Sequence, residues 1–160
     1  MKRTRLTVLL GLALAAGVVA YLLELLGQSL GANVVVPPLS LTLTLVAVGI
    51  AVILLAIPVR RSVTGKRKAR LDPFYALRVA VFAKASSLAG SLLAGAAVGI
   101  VLFLFGRPIA PSASMSTVAI SEIVAGVFLV AAGLIAEHLC VLPPDDPEDP
   151  RGKSLSEPAA

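Results

Sequence analysis

Charge is scarce in this sequence, and so are the residue types that most catalytic and metal-binding signatures need. Of 160 residues only 14% are Asp, Glu, Lys or Arg, against about a quarter in a soluble domain. There is one cysteine, one histidine and no tryptophan. A single thiol, Cys140, excludes an internal disulfide and cannot supply the clustered ligands of a zinc module. No phosphate loop, zinc-protease helix or nucleophile–base pairing is spelled out along the chain. The net charge of +5 is not a nucleic-acid signature either. The basic residues flank apolar runs and form no stripe across a folded surface, so they read as topology signals and exclude nucleic acid as the partner.

What remains is apolar: 58% hydrophobic residues, with a mean hydropathy of +0.95. A chain this short has no room for a soluble core beside so much apolar sequence, so the membrane is its solvent. Four runs stand out, at about 6–26, 39–57, 76–105 and 118–139. Each reaches the roughly 20 residues that cross a bilayer at 1.5 Å per residue. Barrel strands would be shorter and would alternate in polarity, so the expected fold is all-α, a four-helix transmembrane bundle. Gly27, Gly31 and Asn33 break the first connection, and Pro37-Pro38 precedes the second span. Pro58 stands where that span meets its basic flank. Asp72-Pro73 suits a helix start. Ser114, Ser116 and Thr117 are candidate caps for the fourth helix, and Pro143-Pro144 closes it.

Orientation follows from Lys and Arg. Lys2, Arg3 and Arg5 precede the first span, and Arg60, Arg61, Lys66, Arg67, Lys68 and Arg70 lie between the second and third. The other two connections hold only Arg107 between them. By the positive-inside rule both termini are expected in the cytoplasm, in a bacterial cytoplasmic membrane. The six cations of the central loop are candidates for contact with anionic lipid headgroups. The first apolar run exceeds a signal-peptide core, so it is expected to stay as a helix. The domain organisation is then a transmembrane unit over 1–142 and a cytoplasmic tail over 143–160. That tail, with five prolines and five acidic residues, is expected to be disordered. The two helix pairs show no internal repeat of the inverted-transporter kind.

Charged groups in or near spans are the candidates for a site, because burying them in lipid is costly. Glu24 and Glu122 stand close to the ends of their spans and are expected to reach water. The third span is too long for the bilayer as one helix, since Phe74–Phe105 would be about 48 Å. Its first turns, with Arg78, are expected in the interface, and Lys84 at the boundary, where its stem can snorkel. Ala83, Ser87, Ser91, Gly95 and Gly99 recur every four residues, a small-residue ridge for a neighbouring helix. On the fourth span Glu122, Gly126, Leu129, Gly133 and Glu137 share one side. The third and fourth helices are therefore expected to pack through these faces, with Lys84 paired to Glu137 beside Ser87 and His138. The first two look like plain lipid-facing spans. Glu137, His138 and Cys140 point in different directions on a helix, so no metal or cofactor is expected there.

Basic KRTR, VPPLSL after the first span, DPFYALRVAVFAKASSLAG into the third and AEHLCVLPPDD at the end carry a resemblance. The chain resembles a family of small actinobacterial four-span membrane proteins of unknown function, often encoded beside folate-biosynthesis enzymes. The likeness covers about residues 1–146, and it implies no activity and no catalytic residues. The residues themselves favour a non-enzymatic membrane protein that associates with lipid, a membrane-protein partner or a second copy, as in an assembly factor. The alternative is a small transporter or permease subunit acting as an oligomer, with Lys84 and Glu137 lining the path. An intramembrane enzyme using His138 or Cys140 stands third.

Overall fold

The computed structural model describes residues 6–34, 37–63, 73–107 and 112–140. They form four helices: α1 (Leu6–Ser29), α2 (Leu39–Val63), α3 (Pro73–Phe105) and α4 (Ala113–Leu139). Each contains a stretch long and apolar enough to cross a bilayer, from 22 residues in α2 to 29 in α3. The chain is a multi-span membrane protein of four helices. The tail expected over 143–160 lies outside the described residues.

Local chemistry explains most of the helix ends. α1 stops in a left-handed cap: Gly31 has φ of +75°, the one positive φ among the described residues. Its N–H bonds Gln28 O at 3.1 Å, and Ala32 N–H reaches back to Gly27 O at 2.9 Å. That is the Schellman pairing, and glycine supplies the required φ without a Cβ clash. Pro73 opens α3, where a missing N–H costs nothing.

Two boundaries differ from expectation. α2 runs on through Pro58 to Val63; a ring at that position removes one backbone bond, yet a helix packed on its neighbours tolerates the loss. α4 begins earlier than its apolar run suggests. Ser112 is the N-cap, its hydroxyl accepting from Met115 N–H at 3.4 Å. Ser114, Ser116 and Thr117 are therefore inside the helix or its first turn and do not cap it. Ser116 and Thr117 bond back to the carbonyls of Ser112 and Ala113.

The helices are not equally connected. α3 touches all three others, α4 packs on α3 and α2, and α1 packs on α3 alone. Glycines set the closest approaches. A Cβ placed on Gly133 of α4 would come within 2.8 Å of Ala83 O and 2.9 Å of Ser87 N on α3. One on Gly126 would lie 2.9 Å from Ala94 N, and one on Gly90 would lie 2.9 Å from Val130 N. On the other side, a Cβ on Gly95 would overlap the carbonyl oxygen of Ala13 in α1, and one on Gly99 that of Gly17.

The four-residue ridge of α3 is thus divided between two partners. Ala83 and Ser87 face α4, whereas Gly95 and Gly99 face α1. Helical geometry requires this: each step of four residues advances about 40° beyond a full turn, so four steps rotate the ridge through about 160°. The face that stays on α4 follows an alternating spacing instead, through Ala83, Ser87, Gly90 and Ala94, all buried.

Nor is α2 a plain lipid-facing span. α2 buries a continuous stripe of Leu45, Gly49, Val52, Ala56 and Val59. Val52, Ala56 and Val59 join Val79, Ala83 and Ala136 in one apolar cluster, with Tyr75, Leu139 and Cys140 packed on it. Leu45 packs with Ala125 and Leu129 in a second cluster, nearer the other end. α1 keeps most of its side chains outward but lays Ala13 and Gly17 on α3.

Because α1 is held along a single seam, its attachment is open to a direct comparison. Gly95→Ala is expected to lower stability in mixed micelles by about 1–3 kcal/mol through overpacking. Gly11, with nothing within 4 Å of an added Cβ, is the control, and Gly11→Ala should stay within about 0.5 kcal/mol of the parent. Equal effects from both would mean that α1 is not anchored at Gly95.

Candidate functional site

Hydroxyls on these helices mostly bond to their own backbone, the usual solution where no water is at hand. Ser86 donates to Phe82 O, Ser87 to Lys84 O and Ser91 to Leu88 O, all within 2.9 Å. These three serines are buried, but they satisfy themselves locally and offer no donor across the α3–α4 seam.

Thr42 behaves differently. It sits in the first turn of α2, and its hydroxyl crosses to α4, donating to Oε2 of Glu122 at 2.7 Å. Its oxygen also lies 3.4 Å from Oγ of Ser121, which itself donates to Val118 O at 2.8 Å. Glu122 is 2% exposed, among the most completely buried side chains described. Its Oε1 is buried with no hydrogen-bond partner. Just outside this pair, between α2 and α4, runs a groove of about 490 Å³ lined by Thr42, Val46, Ser121, Val124, Ala125 and Phe128. Thr42 therefore stands both on the groove wall and on the carboxyl.

The depth of Glu122 corrects the expectation that it reaches water. Since α4 starts at Ala113, Glu122 lies nine residues in, roughly 13 Å from the helix start. Glu24 is also buried, at 9% exposure, and engages in interactions of its own. Near that end of the bundle, Tyr21 of α1 meets Phe103 of α3 edge-on at 5.9 Å, and the Arg107 guanidinium lies 5.7 Å from the same ring. The signal for Glu122 was in the sequence: Ser121-Glu122 interrupts an apolar run, and Thr42 is one of two threonines opening the second span.

The residues expected to form a polar site stand nearer the opposite end of the bundle. Lys84 and Arg78 are on exposed positions of α3, and His138 is exposed on the last turn of α4. Glu137 is half-buried and carries interactions of its own. Ser87 is buried against Gly133. Gly126 and Gly133 meet α3, Ser91 is buried within α3, and Gly95 and Gly99 meet α1. Of the six loop cations, Arg60 is exposed near the end of α2 and Arg61 is placed within that helix by its backbone. Lys66, Arg67, Lys68 and Arg70 lie outside the described residues. Among the described residues no three His, Cys, Asp or Glu side chains cluster as metal ligands would. Cys140 is half-buried under the apolar cluster, and burial pushes its thiol above the ordinary value.

Removing the crossing hydroxyl isolates what it does for the fold. Thr42→Val would leave both oxygens of Glu122 without the donor, and a loss of about 1–3 kcal/mol is expected. Thr42→Ser should retain most of it. Thr44, exposed and bonded to Leu41 O, is the neutral comparison, and a Thr44→Val loss as large as that of Thr42→Val would refute the assignment.

No curated protein and no solved structure matches the chain. A family match covers residues 9–144, and the family is described as Protein of unknown function (DUF3180). With most of its length inside that match and four membrane-span helices in its fold, the chain belongs to the DUF3180 family of proteins of unknown function.

Proposed function

We propose that this protein is a non-enzymatic component of the bacterial cytoplasmic membrane, working by association with lipid and with a further membrane-embedded protein. The observation that carries the reading is the position of α1, which is packed on α3 alone. Leu10, Leu14, Val18 and Leu22 all face outward from it. Lipid can cover such a surface, but the same helix also exposes Gly11 and Ala15, four residues apart, with open space around Gly11. In a bilayer, association depends on close backbone approach at small residues, so this pair supports a protein neighbour. Within the chain, α3 uses the same chemistry to hold α1 and α4.

The transport alternative, with Lys84 and Glu137 lining a path through an oligomer, draws less support from the geometry. At that level Gly133 lies against the backbones of Ala83 and Ser87, so α3 and α4 leave no water-wide gap between them, and Lys84 is on the outside.

The distribution of Lys and Arg supports an orientation with both termini in the cytoplasm. The run of cations from Arg60 to Arg70 is suited to anionic headgroups on the same side.

Two measurements test this reading. A photoreactive side chain at Val18, in native membranes, should give a discrete protein adduct, whereas the same probe at Leu54 on the outer side of α2 should give mainly lipid. Lipid adducts alone at Val18 would overturn the association. For the orientation, Cys140 is the sole thiol, so a membrane-impermeant maleimide should label inverted vesicles and spare right-side-out ones. Labelling should be slow near neutral pH and quicken as pH rises, because a raised thiol pKa leaves little thiolate. Labelling from the outer face of right-side-out vesicles would reverse the orientation.

A further inference from the structure

A carboxyl retained only to fix the packing of α2 on α4 should have both oxygens satisfied, because a buried acceptor left open works against the fold. Glu122 has one oxygen satisfied. Thr42 donates to Oε2 at 2.7 Å, while Oε1 is buried without a partner and the residue is 2% exposed. The neighbouring hydroxyls cannot fill the gap as they stand. Thr42 has one proton, already given to Oε2, and Ser121 gives its own to Val118 O.

Among the described residues, no fixed counter-ion is at hand on either helix packed against α4. The register of Gly126 opposite Ala94 puts Glu122 level with about Val98 on antiparallel α3. From there Lys84 is about 20 Å along the helix, with Arg78 and Tyr75 farther still. Arg107, beyond the other end of α3, is engaged with the Phe103 ring. On α2, Arg60 lies about 27 Å along the helix from Thr42.

We infer that Glu122 is a reversible binding residue for a small monovalent cation, a proton or an alkali-metal ion, exchanged through the groove past Thr42. A carboxylate with one open oxygen in an apolar surround takes up the species that cancels its charge. The groove brings the surroundings to Thr42 and Ser121, one hydrogen bond from that carboxyl. Rotation of the Thr42 side chain exchanges its bond to Oε2 for one to Ser121 and uncovers the site. The two hydroxyl oxygens and the two carboxylate oxygens then form a set of hard oxygen donors, the kind an alkali ion or a hydrated proton accepts. The inference stands apart from the association reading. A protein that only associates would hold Glu122 in one fixed state.

The test is reaction of the full-length protein in lipid nanodiscs with dicyclohexylcarbodiimide, an apolar reagent that adds a protonated carboxylic acid across its C=N bond. Peptide mass spectrometry locates the adduct, and Glu24 and Glu137 serve as internal comparisons. Modification is expected at Glu122 and should be lost in Glu122→Gln. If the cation is a proton, the rate should fall as pH rises and ignore added salt. If it is an alkali ion, sodium or potassium chloride at fixed pH should slow the reaction where choline chloride does not. A Glu122 rate indifferent to pH and to both salts would overturn the inference. So would the absence of any Glu122 adduct at every pH, in the parent and in Thr42→Ala, which widens the approach. The salt comparison uses the unsubstituted protein, so it stands even if Glu122→Gln does not fold.

Discussion

Backbone contact along α3 is the constraint on which the rest of this structure depends. Inside a bilayer, apolar side chains gain nothing by leaving lipid for one another, so helices are held by packing at short range. α3 has small residues on two sides and uses both. Gly90, Ala83 and Ser87 lie against α4 at Gly126, Val130 and Gly133, while Gly95 and Gly99 lie against Ala13 and Gly17 of α1. A larger residue at most of these positions would push a neighbouring backbone away, not merely a flexible side chain.

Once α3 and α4 are fixed, α2 has a defined place beside them. Its stripe from Leu45 to Val59 packs with α4 and α3, and Phe128 of α4 covers Gly49. α2 runs parallel to α4, so its first turn meets α4 two to three turns in. That offset brings the Thr42 hydroxyl to Glu122. The polar contact is thus a consequence of apolar packing farther along the same pair of helices. α1 takes no part in it, being attached to the far side of α3.

The four helices were legible because length and hydropathy are sufficient to specify a membrane span, and Gly31 and Pro73 marked their boundaries by backbone chemistry alone. The start of α4 was not, because Ser112 and the polar residues after it look like a connection when apolar content is the measure. Five residues of misplaced start moved Glu122 by about a turn and a half and placed it at the water boundary. The small residues of α3 were legible as packing residues, but not their partners. A spacing of four looks like one face over two steps and becomes another face over four.

Lys84 and Glu122 differ in how side-chain length bears on depth. A lysine near a span boundary has a long stem and can carry its charge outward, so its place in an apolar run says little about burial. A glutamate has two methylenes and cannot cover roughly 13 Å to the end of its helix. Its requirement must be met at its own depth, by a side chain from another helix. In this chain the third and fourth spans carry no donor spaced to reach it, since the serines of α3 bond to their own carbonyls. The threonine at the start of the second span does. Short acidic side chains therefore locate polar sites within a membrane bundle better than long basic ones, and the helix that supplies their partner need not be the one with the most conspicuous packing face.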